Sequence, residues 1–482
     1  MGAVREVIDF ILNLGPSIIM PFIIFIMAMI FQVPIGKAIR AGLTVGIGFI
    51  GINLVIGLMV ETLGPAAEAM VSNLNINLTI LDTGWPTAAA AAFSATTILP
   101  WIFGLGILLN ILLIITKFTK TLNIDMWNYW QFIFGAAFIY AATNNFILSI
   151  VIGLVALVIT LKLADMTAPK VQEFFGLPGV SLPHMQTMAW APVGMVLDKV
   201  LDKIPGLNKL NADPDKIQKK YGILGEPLFI GTVLGALIGE LAFFPQIMAG
   251  ELESGISQLL TTAITLGAVM MIFPRMVRLL MEGLLPISDG AKKFLNKKFP
   301  GRELLIGLDV ATVVGNPSVV ATGLLLVPIT LILAVVLSFS GINQLLPFTD
   351  LAVLPFFAVW AVVWSRGNLI RGVLIGSFFM AGILLIATFI APLQTQLAEA
   401  ASFNIPENAS LISSLGGGSF LLPWLLMLPF ISGSEWTLGI VIGIVILVAV
   451  SIFSYIYFFI PKLRKKEFEK NEDNKSQEKK TG

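Results

Sequence analysis

The sequence predicts an all-α, polytopic membrane protein of about 11 transmembrane helices, with re-entrant hairpins and two halves that enter the membrane from opposite sides. Three observations predict it. Of 482 residues, 56% are hydrophobic and 12% charged, whereas a soluble domain carries roughly 25% charged residues. Lysine and arginine fall on one side of the topology. Two stretches break their apolar surroundings in the same way: 81–96 (LDTGWPTAAAAAFSAT) and 305–323 (LIGLDVATVVGNPSVVATG).

Apolar runs fall near 15–35, 41–60, 87–115, 132–146, 147–161, 226–246, 256–274, 306–338, 348–364, 370–391 and 436–460. Runs of about 20 residues suit membrane-crossing helices, and alternating barrel strands would not produce them. The runs 132–146 and 147–161 are short and meet at Asn144-Asn145. Arg5 precedes the first run, and no cleavable signal pattern is present. Cysteine is absent, which excludes disulfides, thiolate metal sites and a cysteine nucleophile; His184 is the sole histidine, too few for a histidine metal cluster. With no Gly-rich phosphate loop or nucleophile–base pair either, neither metal nor cofactor is expected. A net charge of +1 points to no nucleic-acid partner.

With the N-terminus outside and each run crossing once, Lys37, Arg40, Lys117, Lys120, Lys162 and Lys170 fall inside. So do the lysines of 199–220, the stretch Arg275–Arg302, Arg366, Arg371 and the tail from Lys462, leaving only Arg5 outside. The opposite loops, 61–83, 246–255 and 392–435, carry acids alone. The positive-inside rule then gives an outer N-terminus and an inner C-terminus. In this topology Gly15-Pro16 is echoed by Glu226-Pro227, Leu81-Asp82 by Leu308-Asp309, Asp125 by Asp350 and Asn145 by Asn368, in common order and opposite sense. That is the signature of an inverted repeat.

The organisation follows: a first transmembrane repeat over 1–175, a re-entrant hairpin at 176–198 too broken by Pro and Gly to span, and an inner loop at 199–225. A second repeat covers 226–407, a second hairpin 408–430, a last helix 431–461 and a polar tail 462–482. Re-entrant backbone is tolerated only against protein or a water-filled cavity.

Candidate ligand contacts are polar groups at membrane depth, where polarity is costly. Asp309 lies in the broken segment with Asn316; a helix cap in a loop would also account for Asp309. His184 and Gln186 lie in the first hairpin. Gln131, between Trp130 and Phe132, needs a protein or substrate partner. Glu226 opens the sixth span, where the helix dipole alone favours an acid. Trp85, beside Pro86 and Thr87, suits stacking on a sugar ring or a place in the interfacial aromatic belt. These amides, hydroxyls, one acid and one aromatic fit a neutral polyhydroxy ligand better than an inorganic cation, which wants clustered carboxylates and carbonyls.

At these residues the chain resembles the membrane-embedded sugar-translocating component (enzyme IIC) of the bacterial phosphoenolpyruvate-dependent phosphotransferase system, in the ascorbate–galactitol superfamily and closest to the galactitol type. The resemblance rests on Leu14-Gly15-Pro16, Gly46-Ile47-Gly48-Phe49, Gly64-Pro65-Ala66-Ala67, Gly84-Trp85-Pro86, Asn123-Ile124-Asp125-Met126-Trp127-Asn128, Pro183-His184, Gly225-Glu226-Pro227, Ile306-Gly307-Leu308-Asp309 and Arg366-Gly367-Asn368-Leu369. It covers all but the tail. Three departures lie near the implied sugar site: Gln131 in place of histidine, Met185-Gln186 in place of Gly-Thr, and Val310 in place of proline.

The resemblance implies a homodimer in the bacterial plasma membrane, each protomer having an elevator-type core domain that carries the sugar and a dimer-interface domain. It also implies phosphorylation of the delivered sugar by a phosphocysteine on a separate IIB component, itself charged by IIA. A chain without cysteine cannot hold that phosphoryl group. The basic stretches 199–220 and 275–302 are candidate docking surfaces for IIB, and the basic start of the tail for anionic lipid. Asp309 would accept hydrogen bonds from sugar hydroxyls, or serve as general base. The other readings are an ascorbate-, pentose- or polyol-specific IIC and an ion-coupled secondary transporter using Asp309 and Glu226.

Overall fold

A computed structural model of the protein describes residues 16–74, 79–85, 88, 92, 98–205, 226–298, 304–347, 349–401 and 411–430. The expected span at 436–460, the tail and Thr87 lie outside the described residues. The chain divides into two compact units, 1–424 and 425–482; of the second, the described part is the end of a helix and a 3-10 turn, Leu428–Phe430.

Five described helical stretches are long and apolar enough to cross a membrane: Phe146–Phe175, Gly231–Met248, Leu252–Ile272, Pro317–Ser338 and Leu369–Ala400. Large apolar side chains point outward along such helices; Ile147 is 73% exposed and Ile264 66%. Lipid, not water, is the solvent that such surfaces suit. The molecule is a polytopic α-helical membrane protein.

From the amino end the described elements are α1 (Pro16–Ile30), α2 (Ile35–Leu74), β1 (Ile80–Asp82), α3 (Leu99–Ile115), β2 (Thr121–Asn123), α4 (Met126–Thr143), α5 (Phe146–Phe175), β3 (Val180–Ser181), α6 (Met185–Met188) and α7 (Trp190–Asp202). Then come α8 (Pro227–Met248), α9 (Leu252–Lys298), β4 (Leu305–Gly307), α10 (Ala311–Val314) and α11 (Pro317–Ser338). A 3-10 turn (Leu351–Val353) leads into α12 (Leu354–Trp364), followed by α13 (Leu369–Ala400), β5 (Leu411–Ser413), α14 (Leu415–Gly418) and α15 (Leu421–Met427).

Helix starts follow ordinary chemistry. Proline occupies the first position of α1, α8 and α11, where its missing N–H costs nothing. Asp125, Asn145, Asn316 and Asn368 are side-chain N-caps; Asn145 accepts from Leu148 N and Asn368 from Arg371 N, each three residues on. The echo of Asn145 and Asn368 is therefore a matched pair of caps. Each is preceded by a left-handed residue, Asn144 (φ 49°) and Gly367 (φ 79°), that reverses the chain.

Several helices outrun their apolar runs. The run 147–161 sits inside the 30-residue α5, and α9, with 47 residues, carries the basic stretch after Arg275 as helix to Lys298 rather than as loop. At 1.5 Å per residue, α9 is about 70 Å long, over twice the roughly 30 Å hydrocarbon core. Charge marks where a helix leaves lipid, not where it ends.

Short strands bridge the broken stretches. β1 pairs in parallel with β5 (Ile80↔Leu411, Asp82↔Ser413), and Ile80 also bridges Leu345. β4 lies between β2 (Thr121↔Leu305) and β3 (Ser181↔Gly307). Among the described residues, each sheet thus joins strands far apart in the sequence, and in the three-stranded one β4 is central. These pairings bond N–H and C=O groups that lipid would leave unsatisfied. Near the ends of α7 and α13, Arg371 donates to Asp202 Oδ1 (2.7 Å), to the Asp198 carbonyl (2.8 Å) and to the Asp198 carboxylate.

Helices α8 and α9 pack through small residues. A Cβ at Gly231 would lie 2.6 Å from the Leu266 carbonyl oxygen, one at Gly235 2.6 Å from that of Thr262, and one at Gly239 3.0 Å from Leu259 Cα. Such four-residue spacing lets backbones approach closely. Gly235→Leu is expected to cost about 1–3 kcal/mol by overpacking, lowering the thermal unfolding temperature in detergent, while Gly57→Ala, where a Cβ meets nothing within 4 Å, leaves it unchanged or raised.

Candidate functional site

Asp309 follows β4 by two residues, where the chain leaves the sheet and turns into α10. Its Oδ1 accepts from Ala311 N (2.7 Å) and its Oδ2 from Gln131 Nε2 (3.2 Å); its own N–H donates to Asp125 Oδ2 (3.0 Å). Asp125 also caps α4 by accepting from Trp127 N (3.0 Å). Both carboxyls are buried. Asp125 thus ties the start of α4 to the strand end that carries Asp309.

Gln131 sits almost two turns into α4 and uses both ends of its amide. While Nε2 serves Asp309, Oε1 accepts from the backbone N of Gln186 (3.1 Å). Gln186 lies on α6, and its Nε2 donates to the Gly416 carbonyl in α14 (3.1 Å). Gly416 N donates in turn to Asp350 Oδ2 (2.8 Å), and Asp350 also accepts from Trp85 N (2.9 and 3.0 Å). A continuous polar chain therefore runs Asp309–Gln131–Gln186–Gly416–Asp350 through the interior. At its far end Asp82 bonds Gly84 N (3.1 Å) and Thr349 N (2.8 Å), so two strand-end acids anchor matching turns.

His184 lies at the N-cap position of α6, fully inside. Its Nδ1 is 2.8 Å from Thr187 Oγ1, which accepts from Trp360 Nε1 (3.2 Å). Among the described residues the only acceptor for the Thr187 hydroxyl hydrogen is His184 Nδ1. The imidazole then carries its proton on Nε2, which faces Asp309 Oδ2 at 3.6 Å. That gap exceeds a hydrogen bond. It leaves a donor and an acceptor facing each other without a direct bond.

Trp85 stands beside this chain. Its ring meets Phe134, one turn beyond Gln131, edge-on at 4.6 Å, and Phe420 at 5.8 Å. Gly416 is needed here, since a Cβ would collide with Trp85 Cβ.

Asp309, His184, Gln131, Gln186 and Trp85 are thus brought into one neighbourhood. Asn316 is not part of it: its side chain caps α11 by accepting from Ser318 N (3.0 Å). Glu226 begins α8 without a side-chain cap bond. Thr87 is outside the described residues. Sequence reasoning passed over Asp125, Thr187, Trp360, Gly416 and Asp350 as site members, and also Gln394, a buried α13 residue. Neither amide atom of Gln394 has a partner among the described residues; its Oε1 would lie 2.9 Å from a Cβ on Gly417. Among the described residues no group of three or more His, Cys, Asp or Glu side chains could hold a metal ion.

A family model described as "PTS system sugar-specific permease component" matches residues 10–408. A protein of Escherichia coli (strain K12) with the provisional name permease IIC component is 40% identical over 455 residues, covering 94% of this chain and 98% of that protein. The PTS system galactitol-specific EIIC component of the same strain is 37% identical over 425 residues, covering 88% and 91%.

Gln131→Leu strips Asp309 and Gln186 N of a buried partner each, and should cost about 1–3 kcal/mol of stability. Gln131→Leu and Asp309→Asn together should depart from additivity by at least about 0.5 kcal/mol, read from thermal unfolding of the double-mutant cycle.

Proposed function

The chain belongs to the sugar-specific permease (enzyme IIC) family of the phosphotransferase system, and from that membership we propose that it carries a sugar alcohol of the galactitol type across the membrane while a separate IIB component phosphorylates it. The polar chain from Asp309 to Asp350 is the observation that carries the substrate class. It presents amides, carboxylates, an imidazole and one indole, and no lysine or arginine belongs to it. Hydroxyls can donate to Asp309 and accept from His184 Nε2, which bridges the 3.6 Å gap. Trp85 offers an apolar face to the carbon backbone. An anionic ascorbate-like ligand would want more positive donors.

In this reading Asp309, His184, Gln131, Gln186 and Trp85 contact the sugar, and Asp309 takes the proton of the hydroxyl that attacks the IIB phosphoryl group. The chain is an inverted repeat, supported by the common order of elements in 16–202 and 227–427 and by the paired acids Asp82–Asp350 and Asp309–Asp125. About 11 spans, an outer N-terminus and an inner C-terminus follow from the charge segregation. A homodimer whose core domain moves as an elevator, with IIB and IIA as partners, is what the family resemblance adds.

The test is uptake of labelled galactitol into vesicles with and without the cognate IIA and IIB components and phosphoenolpyruvate. Phosphorylated galactitol only in their presence is expected. Dependence without a galactitol signal would redirect the sugar assignment to other polyols, pentoses and ascorbate; free sugar entering without them, and abolished by an uncoupler, would favour ion coupling. Asp309→Asn should lower phosphorylation at least about a hundredfold if the carboxylate is the base, and an unchanged rate would remove that role. Restoring the galactitol-type residue with Gln131→His exchanges the groups offered to the sugar and should raise kcat/KM for galactitol about tenfold, about 1.4 kcal/mol.

A further inference from the structure

Away from the polar chain, a cavity of about 690 Å³ opens beside the turn between α1 and α2. Lys37 and Arg40, one turn apart on α2, face it with Lys293 of α9. Phe31 and Val33, both buried, and Pro286 form apolar wall. Glu282 is the single carboxylate of the lining. All three cations are exposed, and among the described residues none has a carboxylate within 4.0 Å. Among the described residues, three cations and one carboxylate line this concavity, with no ion pair between them.

The surroundings say what kind of anion belongs there. On the same helix Leu43 and Ile47, three and seven positions beyond Arg40 and so on its face, are exposed and apolar, 60% and 58%. A cationic cavity therefore continues into a stripe that hydrocarbon covers. A protein loop would pair with the cations but leave the stripe bare. An amphiphile satisfies both at once, and basic pockets between helices at the inner face are suited to anionic headgroups.

We propose that this cavity binds the phosphodiester headgroup of an anionic phospholipid of the cytoplasmic leaflet, its acyl chains lying along the exposed stripe of α2. The proposal rests on the orientation proposed above, which puts this end of α2 inside. It does not depend on which sugar is carried.

The experiment is lipid binding to the purified full chain in detergent, by native mass spectrometry and thermal shift, with phosphatidylglycerol, phosphatidylcholine and inorganic phosphate as probes. Phosphatidylglycerol should bind and raise the unfolding temperature, phosphatidylcholine should not, and binding should weaken between about 50 and 500 mM salt as exposed charges are screened. The combined Lys37→Gln, Arg40→Gln and Lys293→Gln variant should lose at least about fivefold in affinity. Should that variant fail to fold, Glu282→Gln supplies a gain: removing the one opposing charge should tighten phosphatidylglycerol binding. Unchanged affinity in the triple variant, weaker binding in Glu282→Gln, or equal protection by inorganic phosphate would each overturn the proposal. So would a triple variant that keeps its lipid but loses IIB-dependent phosphorylation, which would assign the surface to the protein partner.

Discussion

A peptide group at membrane depth has no water to bond to, and the architecture of the interior answers that constraint. Wherever the chain breaks its helices, the freed N–H and C=O groups must be satisfied by protein. Two parallel mini-sheets meet part of the demand. Carboxylates meet the rest: Asp125 bonds Asp309 N and Trp127 N, while Asp350 bonds Trp85 N and Gly416 N. An acid that accepts two or more backbone N–H groups stabilises a bend that hydrocarbon would otherwise forbid. Those same acids belong to the polar chain proposed above as the sugar site, so in that reading the device that permits broken helices would also supply the site.

Connectivity matters as much as composition. Gln131 spends one end of its amide on Asp309 and the other on the backbone N–H of Gln186, and the Gln186 amide passes the chain to the Gly416 carbonyl. A fully bonded buried network is rigid, and a partly bonded one is costly. His184 stands 3.6 Å from Asp309, short of a direct bond, and among the described residues the Gln394 amide is one of several buried polar groups without a partner. Unspent hydrogen-bonding capacity in a buried network is where the proposed polyhydroxy ligand would gain most, because its hydroxyls would replace no existing bond.

Much of this was legible in the sequence, for a definite reason. Asp309, His184, Gln131 and Gln186 stand out because polarity is conspicuous in apolar runs. Trp85 stands out through the Gly-Trp-Pro break. The structure gathers these five. Asn316 and Glu226 drew attention on the same grounds, yet both open helices, and a residue type that binds ligand also caps a helix. The confusion runs the other way for Asp125 and Asp350: an Asp just ahead of a helix reads as a cap, and Asp125 is one, while its second oxygen reaches Asp309, 184 positions away. Gly416 contributes a carbonyl, which no side-chain reading reveals. The length of α9 is hidden in the sequence because its basic stretch after Arg275 reads as loop yet stays helical to Lys298.

The departures from the galactitol pattern now have positions. Gln131 donates straight to Asp309, Gln186 carries the link to Gly416, and Val310 is the residue between Asp309 and α10, held at φ −60°. A proline adopts that φ without strain, so Val310 preserves the backbone while restoring an N–H. The other two change what the polar chain offers. An amide at 131 supplies a donor and an acceptor at once and needs no proton exchange, where an imidazole in its neutral form must choose which nitrogen carries its proton. An amide at 186 reaches farther than a threonine hydroxyl would and spans to α14. Both substitutions exchange hydrogen-bond partners while leaving the bends intact, and they sit on the two residues that link Asp309 to the rest; if this chain is the sugar site as proposed, they would alter which hydroxyls are recognised without disturbing how the interior is held together.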